Sequence, residues 1–487
     1  MNYLRMQKKF ITNLAFLLFI NFLIKPFWIF GIDRTVQNVV GSDIYGLYYA
    51  LFNFSFMFNI FLDLGITNFN NRNISQHSQL LSKHFPGIIA LRSLLAIGYF
   101  LISISVAYLI GYRFEELSLL LVLLFNQVLA SFILYFRSNI SGLQLYRTDS
   151  ILSTLDRFIM ILICSMLLWG NLTGGTFKIE WFIYAQTVAY GLTALIAFGI
   201  AAAKAQLKAI RWNKLFFLLI LKKSAPFAIL ILLMAFYNRM DAVMIERLIP
   251  DGAEQAGVYA QAYRLLDAAN MIAFLFAGLL LPMFSHLIAK KESVNRLIEL
   301  SFSLIATIAI TAIAICSIYN YELMDLLYFE HSAQSAEILA ILMISFFAMS
   351  TTYIYGTLLT ANGSLKALNI MALGGLLLNL LLNFILIPKY LAYGAAVATL
   401  ITQAATAIAQ VFIARSIFDF KFKMNNILKI ITFLVITVSA SFALKNWNDQ
   451  WILMAVISII IALVSAVALR LIDLKAIKEV LSIEQEN

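Results

Sequence analysis

Nine ionisable side chains sit inside long apolar runs of this 487-residue sequence: Lys25, Asp63, Arg92, Asp156, Arg157, Arg239, Asp241, Arg264 and Asp267. In hydrocarbon each costs about 2.5–3.5 kcal/mol on insertion scales unless it is paired, wetted or close to an interface. Side chains of this kind do one of two things: they bind ions or ionic headgroups along a transport path, or they pair and hold helices together. Spacing separates some of them. Gln261, Arg264, Asp267 and Asn270 recur at successive i+3 steps, a slanting polar face on which Arg264 and Asp267 can pair along the helix. That pair is expected to face a cavity, with a purely structural pair as the alternative. Ser55, Asn59 and Asp63 at i, i+4 and i+8 form one polar stripe on a helix otherwise of Phe, Leu and Met. Arg239 and Asp241 lie two residues apart and point to opposite sides, so at least one of them faces a neighbouring helix. Lys25 precedes Pro26, an expected kink. Arg92, about seven residues into its run, either borders a cavity or snorkels. Asp63 and the Asp156–Arg157 pair lie near the ends of their runs and are read first as structural.

The elements that position these charges follow from composition. The chain is 62% apolar and 12% charged, with 40 Phe. Soluble domains average about 45–50% apolar and 25% charged, so the chain has too few charges to coat the two to four soluble domains its length would otherwise make. A polytopic helical membrane protein is expected. Fourteen apolar runs of roughly span length lie near 10–32, 44–66, 85–110, 117–136, 150–169, 180–203, 225–248, 256–288, 300–318, 338–360, 367–388, 392–414, 430–444 and 451–469. The thirteenth is short and is expected to extend at both ends. Long runs broken by short polar stretches exclude a β-barrel. The first run follows Arg5, Lys8 and Lys9 without a small-residue cleavage site and reads as an uncleaved span.

With fourteen spans, the segments on the N-terminal side hold 24 Lys and Arg and the opposite loops six. This bias places both termini in the cytoplasm. The charge of +10 then reflects topology and anionic lipid headgroups, and gives no argument for nucleic acid. Cys164 and Cys316 sit in apolar runs without metal or redox spacing. The chain has no phosphate-binding GxxxxGK[ST] loop, no HExxH and no GxSxG, and no loop long enough for an inserted catalytic domain. A transporter without cofactor is expected, and no enzyme. Arg211–Lys223 (RWNKLFFLLILKK) reads as an interfacial helix or as an early start of the seventh run.

The chain repeats weakly. Gly46 and Tyr48 in GSDIYGLYYA align with Gly257 and Tyr259 in EQAGVYAQAYRL, and SGLQLYR (Ser141–Arg147) aligns with TANGSLK (Thr360–Lys366). Similar offsets in order imply two six-helix copies in parallel orientation, 1–203 and 225–414, joined by a basic linker, 204–224, and followed by an extra helix pair and tail, 415–487.

VVGSDIYGLYYALFNFSFMFNIFLDLGITNFNNR (Val39–Arg72) resembles the first-repeat signature of polysaccharide flippases, and NRMDAVMIERLIPDGAEQAGVYAQAYRL (Asn238–Leu265) resembles their second. These are the Wzx-like O-antigen and capsule exporters of the multidrug/oligosaccharidyl-lipid/polysaccharide (MOP) superfamily. The resemblance implies a V-shaped two-lobed fold with the first, second, seventh and eighth spans lining a central cavity. Lys25, Asp63, Arg239, Asp241, Arg264 and Asp267 lie on those four. It implies a polyprenyl-diphosphate-linked oligosaccharide as substrate, moved to the periplasmic leaflet of the bacterial inner membrane by alternating access. Arg264, Arg239, Lys25 and Arg92 would hold the diphosphate, Asp241, Asp267 and Asp63 would couple transport to an ion, and Trp28, Tyr48 and Tyr49 would stack on sugars or simply pack. Membrane lipids, and the polymerase and glycosyltransferases of the same pathway, are the implied partners. One departure is that Lys25, Arg239 and Arg264 are few for a diphosphate site, and Arg92 makes a fourth only if the third span borders the cavity. The rival readings are a cation-coupled multidrug or metabolite exporter on the same fold and a membrane glycosyltransferase or polymerase. The latter would need a basic outer loop, whereas 319–337 carries Glu322, Asp325, Glu330 and Glu337 without Lys or Arg.

Overall fold

The computed structural model describes residues 20–21, 23–170, 177–205, 214–420 and 423–472. The expected start of the first span (10–19), residues 206–213 of the basic linker and the tail from 473 lie outside the described residues. Among the described residues the fold is all helix, with no strand. Eleven helices are long and apolar enough to cross a membrane, and one of them is two helices in sequence. Helix is the expected answer in lipid, because every backbone N–H and C=O must be satisfied within the segment.

The first two runs are the irregular ones. A π-helical turn, Phe27–Asp33, follows directly on Pro26 and leads into α1 (Arg34–Val40). Proline lacks the N–H that would continue the ladder, and the helix widens in place of a simple kink. Gly41, at φ 85°, separates α1 from α2 (Ser42–Met57). The second run does not continue as one helix with a Ser55–Asn59–Asp63 stripe: a 3-10 turn (Asn59–Leu62) follows α2, Leu64 and Gly65 take φ of 45° and 82°, and α3 (Ile66–Gln76) starts afresh. The break has a cause in Asp63, whose carboxylate accepts the N–H groups of Gly65 and Thr67, both at 3.1 Å, and so caps α3.

The rest of the first unit is regular: α4 (Leu80–Leu109), α5 (Phe114–Gly142), α6 (Tyr146–Trp169), α7 (Ile179–Ala205) and α8 (Lys214–Leu248). From Lys214 the basic linker is helical and continuous with α8, whose span-length apolar part is Ala225–Leu248. The later helices are α9 (Gly252–Ala289), α10 (Asn295–Ile318), α11 (Asn320–Leu327), α12 (Ser332–Ala361), α13 (Leu365–Phe418), α14 (Met424–Lys445) and α15 (Trp451–Ala468). The eleventh and twelfth spans share α13, which bends at Leu391 (φ 54°, ψ −139°), three residues after Pro388. The short thirteenth run extends mainly at its start, to Met424.

The chain divides into two compact units, Met1–Arg247 with Asp251–Gly257, and Leu248–Pro250 with Val258–Asn487. In the first, α5 packs on α7, α3 and α2, around a core that includes Phe85, Leu91, Tyr135, Phe136 and Ile140. In the second, α12 packs on α13 and α10. The final pair α14–α15 closes on α10 through Ile310, Phe433, Ala462 and Ala466 at one end, and through Tyr319, Leu444 and Met454 at the other.

Within the first unit the two repeat-equivalent glycines meet. A Cβ on Gly257 would lie 2.0 Å from the Ser42 carbonyl oxygen, and one on Gly46 would lie 1.8 Å from that of Ala253. The Gln37 side-chain amide donates to the Gly257 carbonyl at 2.9 Å across the same contact. Backbone against backbone at this distance leaves no room for a methyl group, which is the close approach that small residues permit between membrane helices. Gly257→Ala is expected to cost about 1–3 kcal/mol by overpacking, read as a lower thermal midpoint in detergent. Gly98→Ala, which meets nothing within 4 Å, is expected to leave the midpoint in place.

Candidate functional site

The first unit encloses a cavity of about 490 Å³. Its charged lining is Arg92 from α4, Arg137 from α5, Asp156 and Arg157 from α6, and Asp63 from the turn before α3. Phe52 and Phe56 of α2 and Tyr190 of α7 supply its aromatic walls. With Asp149, which holds Arg137, and Lys25, within electrostatic reach of Arg157, four basic groups stand against three carboxylates, a surplus of one positive charge.

The three arginines are held very differently. Arg92 is 2% exposed and does not snorkel. One terminal nitrogen donates to the Asp63 carboxylate and, at 3.0 Å, to the Thr67 hydroxyl. The other donates to the carbonyl of Ser131, at 2.8 Å, and to its hydroxyl. The guanidinium also lies 5.2 Å from the centre of the Tyr135 ring. Its terminal donors are thus taken by protein. Arg137 donates from Nε to Asp149 at 2.8 Å. Arg157 is held chiefly by faces: its guanidinium lies 5.3 Å from the Trp28 ring and 5.7 Å from that of Tyr190, with the Asp156 carboxylate no nearer than 3.8 Å. Its guanidinium also hydrogen-bonds the Tyr190 side chain, and because ring faces do not use up in-plane donors, its remaining ones can meet an oxyanion.

Lys25 is half-buried and within electrostatic reach of Arg157, Asp156 and Arg137. Arg239 of α8 sits 5.2 Å from the Phe56 ring and 3.4 Å from the Asn53 side-chain oxygen. Asp241, two residues on, is 2% exposed, as the opposed faces of the pair require. The C-terminal end of α8 is tied down by Arg247, which donates to Glu116 and to Glu246, both at 2.5 Å, and lies 3.9 Å from the Tyr112 ring. Arg264 and Asp267 pair along α9 at 3.8 Å, in the second unit. Tyr48 and Tyr49 are 3% and 1% exposed, packed against Phe182 and Tyr45 respectively. For these two, packing accounts for the residue. Trp28 is half-buried and stacks on Phe182 at 5.7 Å.

The structure therefore brings Arg92 and Asp63 to one cavity, sets Lys25 within electrostatic reach of its Arg157 and Arg137 and Arg239 against its wall, and leaves Arg264 and Asp267 in the second unit. It adds Arg157 and Asp156, which sequence reading placed among the structural span-end charges, and Arg137, which it counted as a loop residue. The available signal was a charged pair, Asp156–Arg157, within an apolar run. The partners of Arg157, Trp28 and Tyr190, lie 129 and 33 residues away, beyond any local pattern. Among the described residues no three His, Cys, Asp or Glu side chains converge on a metal position.

A family model described as "Polysaccharide biosynthesis protein" matches residues 13–288. No curated protein sequence matches the chain. Solved structures do. One is the lipid II flippase MurJ in an inward closed conformation, with 14% identity, 92% of this chain and 98% of that chain covered, and a TM-score of 0.62. An inward-facing multidrug resistance MATE transporter of the MOP superfamily matches with 13% identity, 80% and 94% covered, and a TM-score of 0.62. A MOP superfamily transporter from Pyrococcus furiosus, described as having a binding pocket of reversed polarity, matches with 13% identity, 84% and 93% covered, and a TM-score of 0.56. The fold is that of MOP transporters and flippases.

The Arg92–Asp63 contact sets its own test. Asp63→Ala strands a buried guanidinium and is expected to cost about 3–5 kcal/mol, seen as a large drop in thermal midpoint. Adding Arg92→Met to it is expected to restore part of the loss, and a double variant no more stable than Asp63→Ala alone would refute the pairing.

Proposed function

The chain belongs to the polysaccharide biosynthesis protein family, and on that premise we propose that it moves a polyprenyl-diphosphate-linked oligosaccharide, such as an O-antigen or capsule repeat unit, from the cytoplasmic to the periplasmic leaflet of the bacterial inner membrane. The observation that carries this reading is the 490 Å³ cationic cavity of the first unit. A diphosphate needs several donors and a compensating charge, and an arginine surplus provides both. The same surplus disfavours an amphipathic cation as cargo, which is the reading the MATE likeness would otherwise suggest. MurJ, named as a lipid II flippase, offers a precedent on this fold for a lipid-linked substrate.

Within the cavity Arg157 is the principal diphosphate ligand, with Lys25 and Arg137 beside it. Arg92 forms the wall behind them, fixing α4 and α5 about the site. Arg239, from α8, completes the site's cationic set, and Arg264 is a further candidate phosphate ligand. The lobes are the two repeats, 1–203 and 225–414, with α14 and α15 outside them and both termini in the cytoplasm. Rocking of one repeat against the other exposes the site to each side in turn. The delivered product goes to the polymerase and glycosyltransferases of the same pathway. With no phosphate-binding loop in the chain, an ion gradient, the membrane potential or the product gradient drives the cycle. Asp241 and Asp267 are the coupling carboxylates, since protonation of Asp267 frees Arg264. Asp63, engaged by Arg92 and by the start of α3, can couple only by releasing that pair.

Deleting the protein in its host is expected to accumulate diphosphate-linked oligosaccharide in the cytoplasmic leaflet, identified in the lipid fraction by mass spectrometry. Wild type relieves the accumulation. Arg157→Ala, losing charge-assisted bonds of about 1.5–3 kcal/mol, is expected to transport about ten- to a hundredfold more slowly at unchanged expression. Unchanged lipid-linked glycans in a host without a redundant flippase would instead favour the small-molecule exporter.

Coupling has a separate readout. Asp267→Asn is expected to make the transport rate indifferent to an imposed proton gradient. A variant that still follows the gradient like wild type removes Asp267 from that role.

A further inference from the structure

The second unit holds a pocket that the proposed transport path does not use. It lies where α10 and α14 begin and α12 ends, walled by Phe302, Tyr355 and Phe420 and rimmed by Glu299, Lys423 and Asn426. The connections on this side, 289–299, 361–366 and 415–429, are among the basic ones, so the pocket sits at the membrane boundary rich in lysine and arginine. Its enclosed part is about 40 Å³ and it opens outward.

Three features make it a ligand site. Tyr355 is 1% exposed, its ring stacked 5.6 Å from Phe420, yet its hydroxyl has no hydrogen-bond partner among the described residues. A buried hydroxyl in that state carries an unmet desolvation penalty. Next, α14 begins here with no side-chain cap; the N–H of Asn426 donates to the Lys423 carbonyl, and those of Met424 and Asn425 are left to an anion. Finally, Lys423 and Glu299 meet at 3.0 Å on the rim, with side chains 67% and 32% exposed. A simple anion would be set against Glu299, and a simple cation against Lys423. A zwitterion replaces each partner with another and strands neither.

We propose that this pocket binds a phospholipid headgroup carrying a phosphate and a primary ammonium. The phosphate lies on Lys423 and the first N–H groups of α14, and the ammonium donates to Glu299. The Tyr355 hydroxyl donates to a phosphate or glycerol-ester oxygen, and the three aromatic rings cover the glycerol end of the acyl chains. A lipid held there ties the boundary ends of α10, α12 and α14 to one leaflet.

The test uses the full-length protein in detergent, titrated with dioleoyl phosphatidylethanolamine, phosphatidylcholine and phosphatidylglycerol and read by native mass spectrometry. The ethanolamine lipid is expected to bind one site about tenfold more tightly than either other lipid, since choline has no N–H for Glu299 and the glycerol headgroup no cation. Lys423→Ala, at an exposed position, and Glu299→Gln, a near-isosteric change at a half-buried one, are each expected to weaken it about fivefold or more. Tyr355→Phe is expected to weaken it without lowering the thermal midpoint, because the hydroxyl bonds no protein atom. Equal affinity for the three lipids, tighter binding of the glycerol lipid, or binding indifferent to Lys423→Ala and Glu299→Gln each overturns the proposal. The readout involves no transport, so its outcome is independent of the flippase reading.

Discussion

A guanidinium inside hydrocarbon has to find acceptors for its donors without help from water, and Arg92 finds them by drawing three segments together. Its forked geometry lets one terminal nitrogen reach Asp63 and Thr67 while the other reaches Ser131 on α5. Asp63 can answer only because the chain has left α2 and turned, so that the same carboxylate also starts α3. The broken second span, the cap of α3 and the spacing of α4 and α5 are one solution to the burial of one charge. Without the partners the penalty for that charge would be several kcal/mol, comparable to the net stability of many folded domains.

That solution creates the cavity as a by-product. Holding α4 against α5 while the chain turns away after α2 leaves space between them, and the space is lined by what those helices carry. Arg157 shows how the same residue type serves a different end there. Arg92 has both terminal nitrogens engaged by oxygen acceptors, with only Nε unpartnered, and so is part of the wall. Arg157 is held by two rings and by a hydrogen bond to Tyr190, which fix its position while leaving other guanidinium donors able to meet a ligand. The difference between an arginine that builds and one that binds lies in the partners, which residue identity does not report.

The glycine contact shows a second constraint. Gly46 and Gly257 are equivalent positions of the two repeats, and in the first unit each sits where the other's neighbouring backbone passes. The physical demand is the same at both, closeness of two main chains, and only the absence of a side chain meets it. An internal repeat detected as a faint pattern of letters is here a matched pair of surfaces.

Much of the fold was legible in the sequence because lipid imposes strong rules on composition. Runs of apolar residues determine an all-helical protein with many spans, and they follow from solvation energies that depend on residue type alone. The nine intramembrane charges were equally plain, since each violates that rule. Their assignment was not. Whether the second run stays helical depended on Asp63 having a backbone to cap and a guanidinium to pair with. Arg157 could be placed only once Trp28 and Tyr190 came to either side of it. By itself the sequence determined which side chains must be explained, because burial cost is a property of the residue. Only the tertiary structure decided which of them are satisfied by the protein and which remain available to a ligand, because that depends on distances between segments far apart in the chain.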